Sequence, residues 1–333
     1  SIIILQAAPA RIRNNDAHYA YRQDSDFLYL TGFREHDALL VMIPDKGEGT
    51  CILFCRDRDP TREMWDGRMV GLDGAVKEYG MDEAFDIKEV DKRLRDMLLD
   101  RERIFHDLGR DPMVDQRLIG WLNEFRGTSR KTFHAPEEIH ALHDMLHDMR
   151  VYKSREELST MRRSAKVAIE AHETAMRTCN PGMNEADIHA GLMHTFIRHQ
   201  CEASYLPIVA GGANACVLHY ITNNEELHDG DLLLIDAGAE LDGYASDITR
   251  TFPVSGKFSP EQRALYDIVL DAQRQAIDTV RAGKQWQEVH DAAVRVATQG
   301  MLDLGIMKVD LDELLEKKEF KRFYVHNTGH WLG

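Results

Sequence analysis

The segment that most restricts how this chain can fold runs Asp231-Leu-Leu-Leu-Ile-Asp236-Ala-Gly-Ala-Glu240-Leu-Asp242-Gly243-Tyr-Ala-Ser-Asp247-Ile-Thr-Arg-Thr251. Asp-Gly between two β-forming runs is a strong hairpin signal, because both central residues of a type I′ turn need positive φ. With Asp242 and Gly243 as the whole loop, Asp236 opposes Thr249, and Asp247 lies two residues away on the same face. The two aspartates then become diagonal neighbours, about 7–8 Å apart at the backbone and within joint reach of a metal pair. A loop one residue longer would put them on opposite faces, so the chemistry depends on that turn. Asp236 follows Leu232-Leu233-Leu234-Ile235 and is expected to be buried. A buried carboxylate without a partner is costly, and a cation or a proton relieves it. Two aspartates that cap turns, or that are satisfied by Thr249 and Arg250, are the plain alternative, and the hairpin alone does not separate the two.

The rest of the chain frames this hairpin. In the first half, Phe27-Leu28-Tyr29-Leu30, Leu39 to Ile43 and Cys51 to Phe54 read as strands, broken by Thr31-Gly32 and Gly47-Glu48-Gly49. Periodicity then predicts helices near Lys88–Asp100 and Asp115–Phe125, giving a compact α/β unit that ends near Arg150. The second half opens on a capping box, Ser154 with Glu157, and a helical stripe of Leu158, Met161, Ala165, Ala168, Ile169 and His172 that Asn180-Pro181-Gly182 stops. Asn184 caps a second helix, and Ser259-Pro260 starts a third that runs toward Gly283. Strands are expected at Leu206–Val209, Asp231–Glu240 and Ala245–Val254.

Histidines strengthen the metal reading. His219 lies just upstream in Val217-Leu218-His219-Tyr220, and His326 and His330 are four apart in Tyr324-Val325-His326-Asn327-Thr328-Gly329-His330-Trp331. On a helix that spacing would share a face, but Gly329 and the β-forming neighbours favour a strand or turn. His140, His143 and His147 are expected on one helical face, where the acidic surroundings favour solvation over metal binding. Cys51 and Cys55 fall on one side of a predicted strand and read as core packing. Five cysteines without knuckle spacing suit reduced thiols in a reducing compartment. A net charge of −15 with no basic stripe argues against a nucleic-acid partner, and no apolar run is long enough to cross a membrane. The opening Ser1-Ile2-Ile3-Ile4-Leu5 reads as the middle of a buried strand and the ending carries no stop signal, so both ends read as cut.

Taken together, the block from Asp231 through Asp236-Ala-Gly238, Gly243-Tyr244 and Ser246-Asp247-Ile248-Thr249-Arg250-Thr251 resembles the metal-binding hairpin of the pita-bread metallopeptidases. His326-x3-His330-Trp331-Leu332-Gly333 resembles the segment that carries their histidine ligand. Tyr21-Arg22-Gln23-Asp24-Ser25-Asp26-Phe27-Leu28-Tyr29-Leu30-Thr31-Gly32-Phe33 is similar to the amino-terminal domain of bacterial-type aminopeptidase P, a domain that methionine aminopeptidases lack.

The resemblance implies an α/β (α+β) chain. Residues 1–150 would form a mixed-sheet, ribonuclease-H-like domain with its start missing, and 151–333 a catalytic domain with a curved antiparallel sheet and its C-terminal part missing. It implies two divalent metal ions, manganese foremost, with zinc or cobalt compatible. Asp236 would grip one ion, Asp247 would bridge both and His330 would bind the other. Two glutamate ligands, one of them the general base, would lie beyond Gly333. His219 and His326 would contact the scissile peptide. Trp65, placed on a loop, would reach a neighbouring subunit's cleft, which implies a dimer or tetramer. The implied activity removes the residue preceding an N-terminal proline, in the cytoplasm or in mitochondria. The alternatives are a prolidase, restricted to dipeptides, and a metal-free binding protein on the same fold.

Overall fold

The computed structural model describes residues 1–44, 47–127 and 134–332, so Gly333 lies outside the described residues. The chain divides into two units, Ser1–Tyr152 and Lys153–Gly333.

The first unit is built on strands β1 (Ile2–Gln6), β2 (Ile12–Asn14), β3 (Ala17–His18), β4 (Leu39–Ile43), β5 (Thr50–Cys55), β6 (Glu83–Asp86), β7 (Arg103–Phe105) and β8 (Glu138–His140). Six of them form one sheet in the order β6-β5-β4-β1-β7-β8. β1–β4 and β4–β5 pair antiparallel and the other neighbours parallel, which makes it the mixed sheet the resemblance implied. The central strands are apolar throughout because both faces are covered. Leu39, Val41 and Ile43 face helices α4 (Val90–Met97) and α5 (Pro112–Gly127), while Leu40 and Leu53 join Phe27, Phe33, Leu146 and Ala75 of helix α3 (Gly71–Lys77) on the other side. Cys51 and Cys55 both pack into that second cluster, as their even spacing predicts.

Three expectations fail here, each for a local reason. Phe27–Leu30 is not a strand but part of helix α1 (Ser25–Thr31). Asp24 accepts hydrogen bonds from the Asp26 and Phe27 N–H groups at its start, and Gly32, at φ 66°, closes it. A run of four apolar residues has no period to read, so the caps decide. Trp65 sits not on a loop but in helix α2 (Pro60–Asp66), which Asp59 caps and Pro60 starts; its side chain is 84% exposed. His140 lies on β8, opposite Phe105, whereas His143 and His147 lie on helix α6 (His143–Val151), so the three share no helical face. His143 Nδ1 contacts Asp107 at 2.8 Å.

The second unit opens on helix α7 (Arg155–Thr178), where the predicted capping box is present and contributes about 1 kcal/mol. Helix α8 (Glu185–Arg198) follows from its Asn184 cap. Strands β9 (Glu202–Ala203), β10 (Ile208–Gly211), β11 (Leu232–Ala237), β12 (Ala239–Leu241), β13 (Tyr244–Ala245) and β14 (Ile248–Pro253) form two antiparallel sheets, β10-β11-β14 and β13-β12-β9. Leu233, Ile235 and Ala237 turn into the core with Ala168, Ala171, Leu192 and Phe196 from the two helices. Each fully buried Leu or Ile there contributes about 1.5–3 kcal/mol. Helices α9 (Pro260–Thr279) and α10 (Trp286–Asp303) pack on each other through Ala272, Ala276, Val289 and Ala293. α9 stops at Thr279 rather than running to Gly283.

The predicted strand Asp231–Glu240 is in fact two. Its register is the one the type I′ turn dictates: Asp242 and Gly243 both have positive φ, 54° and 83°, and Asp236 pairs with Thr249. The break comes at Gly238, where a Cβ would lie 1.6 Å from the Ser246 carbonyl oxygen. Only a residue with no side chain lets the two arms come this close, and the hairpin splits there between its two sheets.

Candidate metal centre

Alternation along β11 sets the environment of Asp236. Leu233, Ile235 and Ala237 take the core face, so Asp236 falls on the opposite, half-exposed face and is not fully buried. Asp247 follows Ser246 immediately before β14, on the far side of the Gly238 split. Tyr205 joins the two: its hydroxyl lies 2.5 Å from Asp236 Oδ1 and 2.9 Å from Asp247 Oδ1. Burial foremost, with the Asp247 carboxylate adding, raises the Asp236 pKa, against the hydrogen bonds from Tyr205 and Thr249. Burial and the same two carboxylates push the Tyr205 phenol far up, so it stays a donor. One hydroxyl proton cannot satisfy two carboxylates, and the pair is left rich in lone-pair oxygens.

His330 completes the line, with Nε2 3.1 Å from Asp247 Oδ2. Its Nδ1 sits 3.0 Å from the Trp331 carbonyl, which can only accept, so Nδ1 carries a proton. In the neutral ring Nε2 is then a bare lone pair against a carboxylate oxygen, a contact that needs a proton or a cation. The segment that carries His330 has neither helix nor strand and is held on α10 by side chains. Trp286 Nε1 donates to Gly329 O at 3.3 Å, Trp286 packs on Trp331, and His290 Nδ1 bonds Thr328 Oγ1 at 2.9 Å.

The structure therefore links Asp236, Tyr205, Asp247 and His330 in sequence. Among the described residues, no three His, Cys, Asp or Glu side chains form a closed set ready for a metal. The tyrosine hydroxyl stands in the gap between the aspartates. The donor chemistry fits a divalent ion, with carboxylate oxygens and one imidazole nitrogen. His219 is on the exposed loop between β10 and β11, and His326 packs edge-on to Tyr324 with Nδ1 2.7 Å from Asn327 O. Trp65 belongs to the other unit. Tyr205 is the residue that sequence reasoning missed. It sits in no periodic run, and only the pairing of Ile208 with Asp236 shows that a residue just before β10 lies beside the aspartates.

Comparison with known proteins gives this arrangement its class. Residues 159–333 match Metallopeptidase family M24, and residues 1–105 match Aminopeptidase P, N-terminal domain. The Xaa-Pro aminopeptidase of Escherichia coli K12 is 41% identical over 335 residues, covering 100% of this chain and 76% of its own. Human Xaa-Pro aminopeptidase 3 is 32% identical, covering 99% and 65%. Among solved structures, Pseudomonas aeruginosa aminopeptidase PepP superposes with a TM-score of 0.97 at 48% identity, over 100% of this chain and 75% of that one. Zinc-substituted E. coli aminopeptidase P in complex with product gives 0.97 at 41%, over 100% and 76%. The fold is that of the pita-bread enzymes, and the protein is a metallopeptidase, a hydrolase of a class that works with divalent metal ions. More narrowly, the chain belongs to metallopeptidase family M24, in the branch that carries the aminopeptidase P amino-terminal domain.

Proposed function

We propose that the protein is an Xaa-Pro aminopeptidase whose two divalent ions, manganese foremost, are held in part by Asp236, Asp247 and His330. The observation that carries this reading is the line of contacts from Asp236 through Tyr205 and Asp247 to His330, in a fold shared along the whole chain with aminopeptidases P. Bound there, divalent ions would supply a Lewis acid and a water acidic enough to act as nucleophile near neutral pH. Asp236 and Asp247 bring the negative charge that holds such ions. Tyr205 lies against one oxygen of each carboxylate and does not occupy the others. His330 keeps Nε2 available because Nδ1 is engaged by the backbone. His219 and His326, both exposed imidazoles, are assigned to the scissile peptide, as donors to its carbonyl. The five cysteines are all free thiols, which suits a cytoplasmic protein. No described helix is long and apolar enough to cross a membrane.

Substrate choice gives the direct test. Proline lacks an N–H and holds φ near −65°, so a site shaped for it should reject alanine at the same place. The protein expressed from its complete reading frame and loaded with manganese should cleave Xaa-Pro-Xaa tripeptides. Replacing the proline with alanine should lower kcat/KM by roughly a hundredfold or more. Equal rates on both peptides would refute the assignment, and cleavage of dipeptides alone would point to a prolidase.

Trp65 supports a second expectation. An indole 84% exposed on a short capped helix is poorly placed as a packing residue and well placed to meet a second subunit. The protein is expected to be a dimer or tetramer in which Trp65 lines a partner's cleft. Light scattering of the wild type and tripeptide kinetics of Trp65→Ala check this. A monomer whose variant cleaves tripeptides normally would reduce Trp65 to a surface residue.

A further inference from the structure

We propose that Glu185, the first residue of α8, is a positioning residue that sets the shape of the loop carrying His219; the inference rests on the assignment of His219 to the substrate. Glu185 is fully buried, 0% exposed, yet its carboxylate is satisfied by donors from that one loop. Oε1 accepts from Gly211 N at 2.8 Å and Asn214 Nδ2 at 3.0 Å, while Oε2 accepts from the Tyr220 hydroxyl at 2.7 Å and Glu225 N at 3.1 Å. A carboxylate has about four acceptor positions, and all are used.

The donors are spread along the chain so as to grip the whole loop. Gly211 ends β10, Asn214 lies on the first bend, Tyr220 directly follows His219, and Glu225 begins the return. The return stretch is also tied to the start of α8. Glu185 N donates to Glu225 O at 2.9 Å, Leu227 N to Met183 O at 2.8 Å and Asn184 Nδ2 to Asn224 O at 2.8 Å. Asn214 Nδ2 reaches the Tyr220 hydroxyl at 3.1 Å and closes the ring of contacts. Lifting the loop away would strand a buried charge, which is far costlier than losing an exposed hydrogen bond. The start of α8 favours the negative charge as well. Burial alone would raise the Glu185 pKa, but these donors hold it below the usual carboxylate range. Burial, then Glu185 itself, pushes the Tyr220 phenol up to about 12, so it donates at neutral pH. On this base the loop carries His219 outward, between Leu218 and Tyr220, with Val217 and Leu218 also exposed.

Glu185→Gln is the informative variant, because it keeps the volume and changes one acceptor into a donor. Whichever way the amide turns, at least one backbone N–H, of Gly211 or Glu225, faces an N–H₂ group and loses its partner. Hydrogen exchange across 212–224 should quicken by about tenfold while α7 and β11 stay protected, the effect of one buried hydrogen bond turned into a clash. In the protein expressed from its complete reading frame, kcat/KM on an Xaa-Pro tripeptide should also fall about tenfold. In a His219→Ala background the same change should cost almost nothing further, because both act through one imidazole. Tyr220→Phe, which removes one donor and adds no clash, should move exchange and kcat/KM the same way by about fivefold, and it carries the test if the glutamine variant does not fold. Unchanged exchange in the loop would overturn the proposal, as would a full loss of kcat/KM that persists without His219. If His219→Ala alone leaves turnover untouched, the reading of His219 falls separately, and the exchange result decides whether Glu185 holds the loop.

Discussion

Asp247→Ala is expected to strip the protein of its divalent metal while leaving its fold intact. Asp247 stands between Tyr205 and His330, with one carboxylate oxygen against each. Removing the partner shell around a metal ligand already weakens binding by about 10–100-fold, so deleting a proposed ligand itself should exceed about 100-fold. The fold should survive because the Asp247 side chain is half-exposed and belongs to no apolar cluster. Its carboxylate also helps to raise the pKa of Asp236, so without metal the alanine variant loses a like-charge neighbour of Asp236. The metal-free variant should therefore melt no lower than the metal-free wild type. Elemental analysis and thermal melting together decide the matter. Undiminished metal content would remove Asp247 from the site, and a collapse of the metal-free form would make its role structural.

Gly238→Ala should have the largest effect on stability of any single methyl group in the second unit. A Cβ at this position meets the Ser246 carbonyl oxygen at 1.6 Å and its carbon at 2.5 Å. Backbone cannot rotate aside as a side chain can, and the clash falls where the hairpin is tied across: Ser246 N donates to Ala239 O at 2.8 Å, and Ser204 N to Gly238 O at 2.9 Å. Overpacking usually costs about 1–3 kcal/mol, and a rigid backbone contact should reach or pass the top of that range. In a unit of this size that lowers Tm by on the order of 10 °C. The arms would part between Asp236 and Asp247, so metal affinity should fall with stability. Calorimetry of the variant checks the first effect and metal titration the second. A melting temperature within a degree or two of wild type would mean that the arms separate easily, contrary to the packing described above.

How much of this could be read beforehand depended on whether the signal was local. The Asp242-Gly243 turn is local: its positive φ values follow from residue type, and the pairing of Asp236 with Thr249 follows from the turn. Helix α7 was legible for the same reason, since Ser154 and Glu157 form their box within one turn. Phe27 to Leu30 misled because four apolar residues suit either a strand or a helix, and the deciding contacts came from Asp24 and Gly32 on either side. His140 was misplaced because histidines three and four residues apart imitate a helical face that the chain breaks between His140 and His143.

The amino-acid sequence alone determined the hairpin, its register and the identity of its two aspartates, because turn chemistry and strand alternation act over a few residues. Only the tertiary structure decided what surrounds them. Tyr205 reaches both carboxylates because β10 runs beside β11, and His330 meets Asp247 because Trp286 and His290 hold its segment on α10. Gly238 shows the boundary between the two. Its residue type was plain, but its purpose lies in a carbonyl eight residues away that comes too close for any side chain, and that approach exists only once the strands have closed.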